Sequence, residues 1–333
     1  MKSQSELIAF ARESLGIGPS AEVELLPLSG RGSDRTYFRF KWNRAQSAIV
    51  AHYNPGRTEN TYFAEIALFL GEIGLPVPRI LRHDATGCLL LMEDLGDVDL
   101  WTLRDEPWEM RSARYRKTLA VAHRLHTVPE RLFPSNRVKL MESFGHALYR
   151  WERDYFRDNF VAGLCGIDLE PVFAKQLELE LAALAENLCS GRCSLVHRDL
   201  QSQNVMIHLE EPFLIDFQGM RFGAPLYDIG SLLCDPYVSF SKAEREELLF
   251  YYYGLARQDL DWKGFQNAFW EATAQRLMQA LGAYGFLGLT KGLRQYLTHV
   301  PAGLRNLRIA AENAGSLPQL LALCALSEKA LAS

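Results

Sequence analysis

His197-Arg198-Asp199, with Asn204 next and Asp216 beyond it at the end of an apolar run, assembles the residue types that phosphoryl transfer to a hydroxyl requires. Asp199 would orient an acceptor hydroxyl and take its proton. Asn204 and Asp216 would hold Mg²⁺, a hard cation that takes oxygen ligands. The spacing suits the chemistry. Val205–Ile207 reads as a short strand, Leu209–Pro212 as a turn and Phe213–Ile215 as the return strand. Such a hairpin would bring Asn204 and Asp216 side by side. An Asp followed by an Asn at this spacing arises readily by chance, so the specificity lies in the whole constellation with its flanking apolar strands. The bland alternative is turn-forming polar residues between strands.

The rest of the chain must position that set. Gln4–Leu15 has helical periodicity and stops at Gly16. Val23–Leu28, Thr36–Trp42, Ser47–His52, Arg79–His83 and Cys88–Met92 read as strands, and Thr61–Gly71 as a helix with Phe63, Ile66, Ala67 and Leu70 on one face. After Glu93–Gly96 the pattern turns helical, over about 110–127, 138–162, 170–190, 242–257, 262–285 and 317–331. Strand signals there are confined to the 205–215 hairpin and its lead-in. The expectation is an α+β chain with a bilobal, protein-kinase-like fold: a small β-rich lobe over 1–92, a connector at 93–97 and a large helical lobe over 98–333. A doubly wound sheet would alternate strand and helix throughout.

In the small lobe, Gly30, Gly32 and Ser33 lie in the first strand–strand turn, where glycines let backbone N–H groups approach phosphates. A plain hairpin turn would look the same. No Walker A sequence and no dinucleotide fingerprint occurs. Ile49-Val50-Ala51 is followed by His52, so the lysine a protein kinase carries there is missing. Arg35, Arg39 and Lys41 share one face of an extended strand, opposite Phe38 and Phe40. That face is either solvent or the roof of a cleft with Arg39 doing the lysine's work. Glu65, in mid-helix, would be its carboxylate partner, with Glu59 and Glu72 as rivals. Peptide groups around Glu93 and Leu95 would meet an adenine edge. Asp228 opens a helix, where its carboxylate would cap the helix and hold the loop at His197. Gln218 and Asp235, trailing Asp216, are the acceptor-site candidates.

Bulk properties narrow the classes. The chain has 333 residues, 48% of them hydrophobic and 23% charged, enough for a sizeable core. A formal net charge of −4 without a basic stripe gives no reason to expect nucleic acid. No apolar run approaches membrane-spanning length, and the N-terminus lacks the apolar stretch of a signal peptide. The 6 cysteines lack a zinc spacing and read as reduced thiols of a cytoplasmic protein.

With these residues laid out, the chain resembles the aminoglycoside-phosphotransferase family of small-molecule kinases over Gly30–Phe40, Met92–Gly96, His197–Ile207 and Leu214–Tyr237. Within it the chain is most similar to the anomeric sugar kinases of cell-wall recycling, which phosphorylate N-acetylmuramate and N-acetylglucosamine at C1. Ser33–Phe40, Asp216–Gln218 with Gly223–Asp235, and Gln275–Gly282 with Tyr296–Pro301 carry this narrower likeness. That subfamily also lacks the strand lysine. The loop 200–203 departs from it, and Trp151–Phe156 matches it loosely. The resemblance implies ATP as co-substrate, bound between the lobes with Mg²⁺, and an amino sugar as acceptor. Aminoglycoside, choline or homoserine as acceptor, and a nucleotide-binding pseudokinase scaffold, are the alternatives.

Overall fold

The computed structural model describes residues 2–28, 35–43, 46–256 and 260–332. Chain contacts divide it into two units. One gathers Met1–Val98, Pro134–Met141 and Met206–Gly219; the other holds Asp99–Phe133, Glu142–Val205 and Met220–Ser333.

The first unit opens with helix α1 (Gln4–Leu15), entered through a capping box: Ser3 accepts from the Glu6 N–H, and the Glu6 carboxylate accepts from the Ser3 N–H. Gly16 ends it in the left-handed region, φ 67°. Strands β1 (Val23–Leu28), β2 (Thr36–Trp42) and β3 (Gln46–His52) come next, then helix α2 (Thr58–Glu72), β4 (Ile80–Asp84) and β5 (Leu89–Glu93). They form a 5-stranded antiparallel sheet in the order β1-β2-β3-β5-β4. One core sits where Leu7 and Ala11 of α1 meet Phe40, Ala48, Val50, Leu89 and Leu91 of the sheet. Alternate residues of β1, β2, β3 and β5 supply it, as the period of two requires.

The second unit is mainly helical: α3 (Trp108–His126), α4 (His146–Phe156) and α5 (Pro171–Ser190) precede a short strand β6 (Ser194–Val196). Next comes the hairpin of β7 (Val205–His208) and β8 (Glu211–Leu214), most of which belongs to the first unit. The turn is tighter than the sequence suggests. Leu209 and Glu210 alone make it, both at positive φ (51° and 63°), the backbone of a two-residue hairpin. Pro212 therefore lies inside β8, tolerated because the sheet has only 2 strands. Strand β9 (Arg221–Gly223), too short to show in the sequence, pairs antiparallel with β6. Helices α6 (Pro225–Leu233), α7 (Lys242–Ala256), α8 (Trp262–Gly285), α9 (Val300–Ala314) and α10 (Pro318–Ala332) complete the unit.

Two helical expectations need correction. Residues 138–145 are not helical; α4 starts only at His146 and runs on into a π-helical turn at Arg157–Ala162. Helix α9 was not expected, because Pro301 and Gly303 interrupt its pattern; the proline is harmless in the first turn. Gly303 lies beside Leu281 of α8 and so admits close helix packing. Among the described residues, no helix is long and apolar enough to cross a membrane.

Candidate active site

The β6–β9 pair delivers the chain to His197. Asp228, in the first turn of α6 and wholly buried, braces the loop that begins there. Its carboxylate accepts the N–H of His197 at 2.6 Å and of Arg198 at 2.8 Å, and lies 3.0 Å from His126 Nε2. His126 is itself buried against the Tyr252 hydroxyl at 2.7 Å. These bonds fix Arg198 at φ 75°, a conformation costly for a residue with a Cβ. The expectation that Asp228 caps α6 does not hold. Pro225 starts the helix and Ala224 holds the cap position, so Asp228 lies within the first turn and its carboxylate is given to the loop. His197 is also buried, with Nδ1 3.3 Å from the Asp199 N–H donor.

Asp199 is tethered from α8. Arg276 Nη2 donates to its Oδ1 at 2.6 Å, and Gln201 Nε2 donates to the same oxygen. Its Oδ2 has no hydrogen-bond partner among the described residues. Arg276 is 4% exposed and is positioned by Ser231 Oγ at 3.0 Å and Gln279 Oε1 at 2.5 Å. Burial works against its charge, but the Asp199 carboxylate prevails and raises its pKa. Behind it, the buried Glu152 accepts from Tyr227 Oη at 2.9 Å and Gln275 Nε2 at 2.9 Å. Burial raises the Glu152 pKa; Arg198, Gln275, Tyr227 and Arg276 oppose that.

Asn204 donates Nδ2 to the Asp199 carbonyl at 2.8 Å. Asp235 was expected to face the acceptor and does not. It is fully buried, accepting from the Ser202 N–H at 2.7 Å, the Ser202 hydroxyl at 2.5 Å and the Tyr237 N–H at 2.9 Å. A carboxylate with no exposed surface and bonds to both oxygens tethers the loop at Ser202. Burial pushes it up to about 6 against those bonds.

In the first unit, Asp216 sits at φ 62°, its side chain one-third exposed (33%). Its carboxylate pairs with Arg35, whose Nη1 also donates to Gln218 Oε1 at 2.7 Å. Gln218 Nε2 donates back to Asp216 Oδ1 at 3.2 Å. Gln218, proposed for the acceptor, is buried at 5% exposure and spends both ends of its amide on this pair. Phe217 between them stacks on Phe63 of α2, centroids 4.6 Å apart.

The small-lobe expectations fare unevenly. Arg39 is not paired with Glu65. Its guanidinium lies on Asp94 (2.6 Å) and Asp97 (2.8 Å), while Glu65 is on the exposed face of α2. Nor are the rivals free: Glu59 faces Arg57 at 3.6 Å and Glu72 pairs with Arg137. The Glu93 N–H is used by the Arg79 carbonyl at 2.9 Å, whereas the Leu95 N–H has no partner among the described residues. Gly30, Gly32 and Ser33 lie outside the described residues.

Comparison with known proteins decides the kind of molecule. Residues 24–264 match the model of the phosphotransferase enzyme family. The chain belongs to that family. It is 26% identical over 328 residues to the N-acetylmuramate/N-acetylglucosamine kinase of Pseudomonas aeruginosa, covering 93% of this chain and 90% of that one. The protein of the same name from Pseudomonas putida is 24% identical, over 84% and 82% of the two chains. Among solved structures, choline kinase from Cryptosporidium parvum superposes with a TM-score of 0.64 at 14% identity, over 95% of this chain and 98% of that one. The chain has the kinase-like fold, and as a phosphotransferase-family member it is a kinase.

Sequence reasoning did not single out Arg276, His126 and Glu152, which the structure places in the hydrogen-bond network on and behind the 197–199 loop. Each lies on a helix far along the chain from the loop it serves. A buried charge on a mostly apolar helix face was the available signal for Arg276, between Ala274 and Leu277.

Proposed function

We propose that this kinase transfers the γ-phosphoryl group of ATP, with Mg²⁺, to the anomeric hydroxyl of an amino sugar, N-acetylmuramate or N-acetylglucosamine. One observation carries the reading: relatives bearing that kinase name align over most of their own length. The buried bracing of the Asp199 loop by Asp228 and Arg276 supports it.

In this mechanism Asp199 presents Oδ2 to the acceptor hydroxyl, aligns it for in-line attack and takes its proton. Arg276 and Gln201 hold Oδ1, so the carboxylate cannot rotate away from the acceptor. The donor set fits an oxygen-seeking divalent cation. Asn204 has committed Nδ2 and leaves Oδ1 to coordinate, and Asp216 offers a partly exposed carboxylate. Bound Mg²⁺ supplies charge neutralisation as charge moves to the leaving group. The Leu95 N–H, without a partner among the described residues, would meet the adenine edge.

The test is a sugar panel. Phosphorylation at C1 abolishes the reducing end, whereas a 6-phosphate keeps it. Enzyme, Mg·ATP and N-acetylmuramate or N-acetylglucosamine should lose reducing power in step with ADP release. Turnover of choline, homoserine or kanamycin-type drugs with none of either sugar would overturn the acceptor; no turnover with any acceptor would favour a nucleotide-binding scaffold.

A further inference from the structure

With the strand lysine missing, another cation must meet the phosphates, and the register of the sheet narrows the candidates. In β3, His52 stands where the lysine would be, and it pairs with Thr36 at the start of β2. Arg35 is the next residue outward. Arg39 pairs with Ile49, three residues down β3, and Lys41 with Ser47. At about 3.3 Å per strand residue, Arg39 lies roughly 13 Å along the strand from Arg35. Arg39 is also committed, its fork filled by Asp94 and Asp97 with the Gly96 carbonyl at 3.1 Å.

Arg35 is differently placed. It is 7% exposed and lies on the one carboxylate, Asp216, that the proposed chemistry assigns to the metal. Its guanidinium already grips one anion beside Gln218, and its planar fork matches phosphate oxygens equally well. Two cations thus claim one carboxylate. Both cannot hold it at full strength, and a guanidinium loosened from Asp216, with Glu59 acting on it as well, can meet an incoming anion.

We infer that Arg35 is the phosphate-binding cation of this kinase, parked on Asp216 until metal and nucleotide arrive together. Asp216 would then be given to the metal, and the Arg35 guanidinium would pass to phosphate oxygens. Arg35 therefore opposes binding of metal alone and favours binding of metal with nucleotide. This deepens the proposed function and rests on it.

The opposing signs give the test. Arg35→Gln keeps an amide near Gln218 and removes the charge. Mn²⁺ alone, titrated by the resonance of the free ion, should bind several-fold more tightly than to wild type. Mg·ADP, titrated by calorimetry, should bind about 10–100-fold more weakly, as loss of a charge-assisted bond implies. Lys41→Gln on the same strand should change neither. A merely structural role for Arg35 would weaken both, and that outcome, or Mg·ADP binding within about threefold of wild type, would overturn the inference. Should Arg35→Gln fail to fold, Arg35→Lys keeps the charge and loses the fork. It should then weaken Mg·ADP about tenfold or less but measurably, and undiminished affinity would again overturn it. Failure of the wild type itself to bind Mg·ADP would instead strike down the nucleotide-dependent reading, and the inference with it.

Discussion

Asp199 has one oxygen tied and one open, and that asymmetry makes separate predictions for the residue and its tether. Asp199→Asn keeps the shape and removes the proton acceptor, so kcat should fall about 10²–10⁴-fold while Mg·ADP affinity is unchanged. Arg276→Ala frees the carboxylate to rotate. We expect kcat to fall by about tenfold or more with the KM for nucleotide little altered, a split measurable in one set of steady-state assays. Asp235 predicts a pH effect. Its carboxyl titrates at about 6 in the folded chain against 3.8 for the ordinary side chain, so between those values the folded state binds the extra proton. Its contribution to stability is therefore full below about 4 and lost as pH rises through about 6. Urea midpoints should show wild type losing ground to Asp235→Asn, which does not titrate, over that window; a constant difference would refute it. At this scale the candidates that the sequence offers for the chemistry, Asp199, Asn204 and Asp216, are those whose spacing is local. It misplaced Asp235 and Gln218, because a polar residue trailing a reactive one looks the same whether it faces a ligand or braces a loop.

Elements set the precision with which those residues are held. Helices α6 and α8 approach closely at Gly230, where a Cβ would meet Thr273 Oγ1 at 2.6 Å and Thr273 Cα at 2.9 Å. The first of these helices carries Asp228 and the second Arg276, so their spacing sets the two supports of the 197–199 loop. Gly230→Ala should cost about 1–3 kcal/mol of stability through overpacking. It should also lower kcat beyond what the lost stability explains, read at a temperature where the variant is fully folded. The five strands of the first sheet were legible because short runs of apolar or alternating residues, such as Thr36–Trp42 and Leu89–Met92, are bounded by turn residues. Strand β9 was not, since three residues carry no period, and α9 was hidden by Pro301 and Gly303. Pro212 misled in the opposite sense, being read as turn when the positive-φ pair Leu209–Glu210 does the turning.

At the scale of the molecule, the sheet-bearing unit is drawn from three separate stretches of chain. Residues 206–219 close it: Ile207 N–H bonds the Val98 carbonyl at 2.8 Å, Leu214 N–H bonds the Pro76 carbonyl at 2.9 Å, and Phe217 stacks on Phe63. A fragment ending at Val98 should consequently fail to unfold cooperatively, giving a broad melt with high ANS binding. Adding 206–219 in trans would be expected to restore little at micromolar concentration, because linkage supplies the effective concentration that association lacks.

The same interleaving imposes an order in time. The sheet's last supports leave the ribosome more than a hundred residues after its final strand does. At ordinary elongation rates that interval is on the order of ten seconds, during which Phe63 waits uncovered by Phe217. The nascent chain is thus exposed to chaperones at α2 for a fixed spell set by topology, and a ribosome stalled before residue 206 would hold it there.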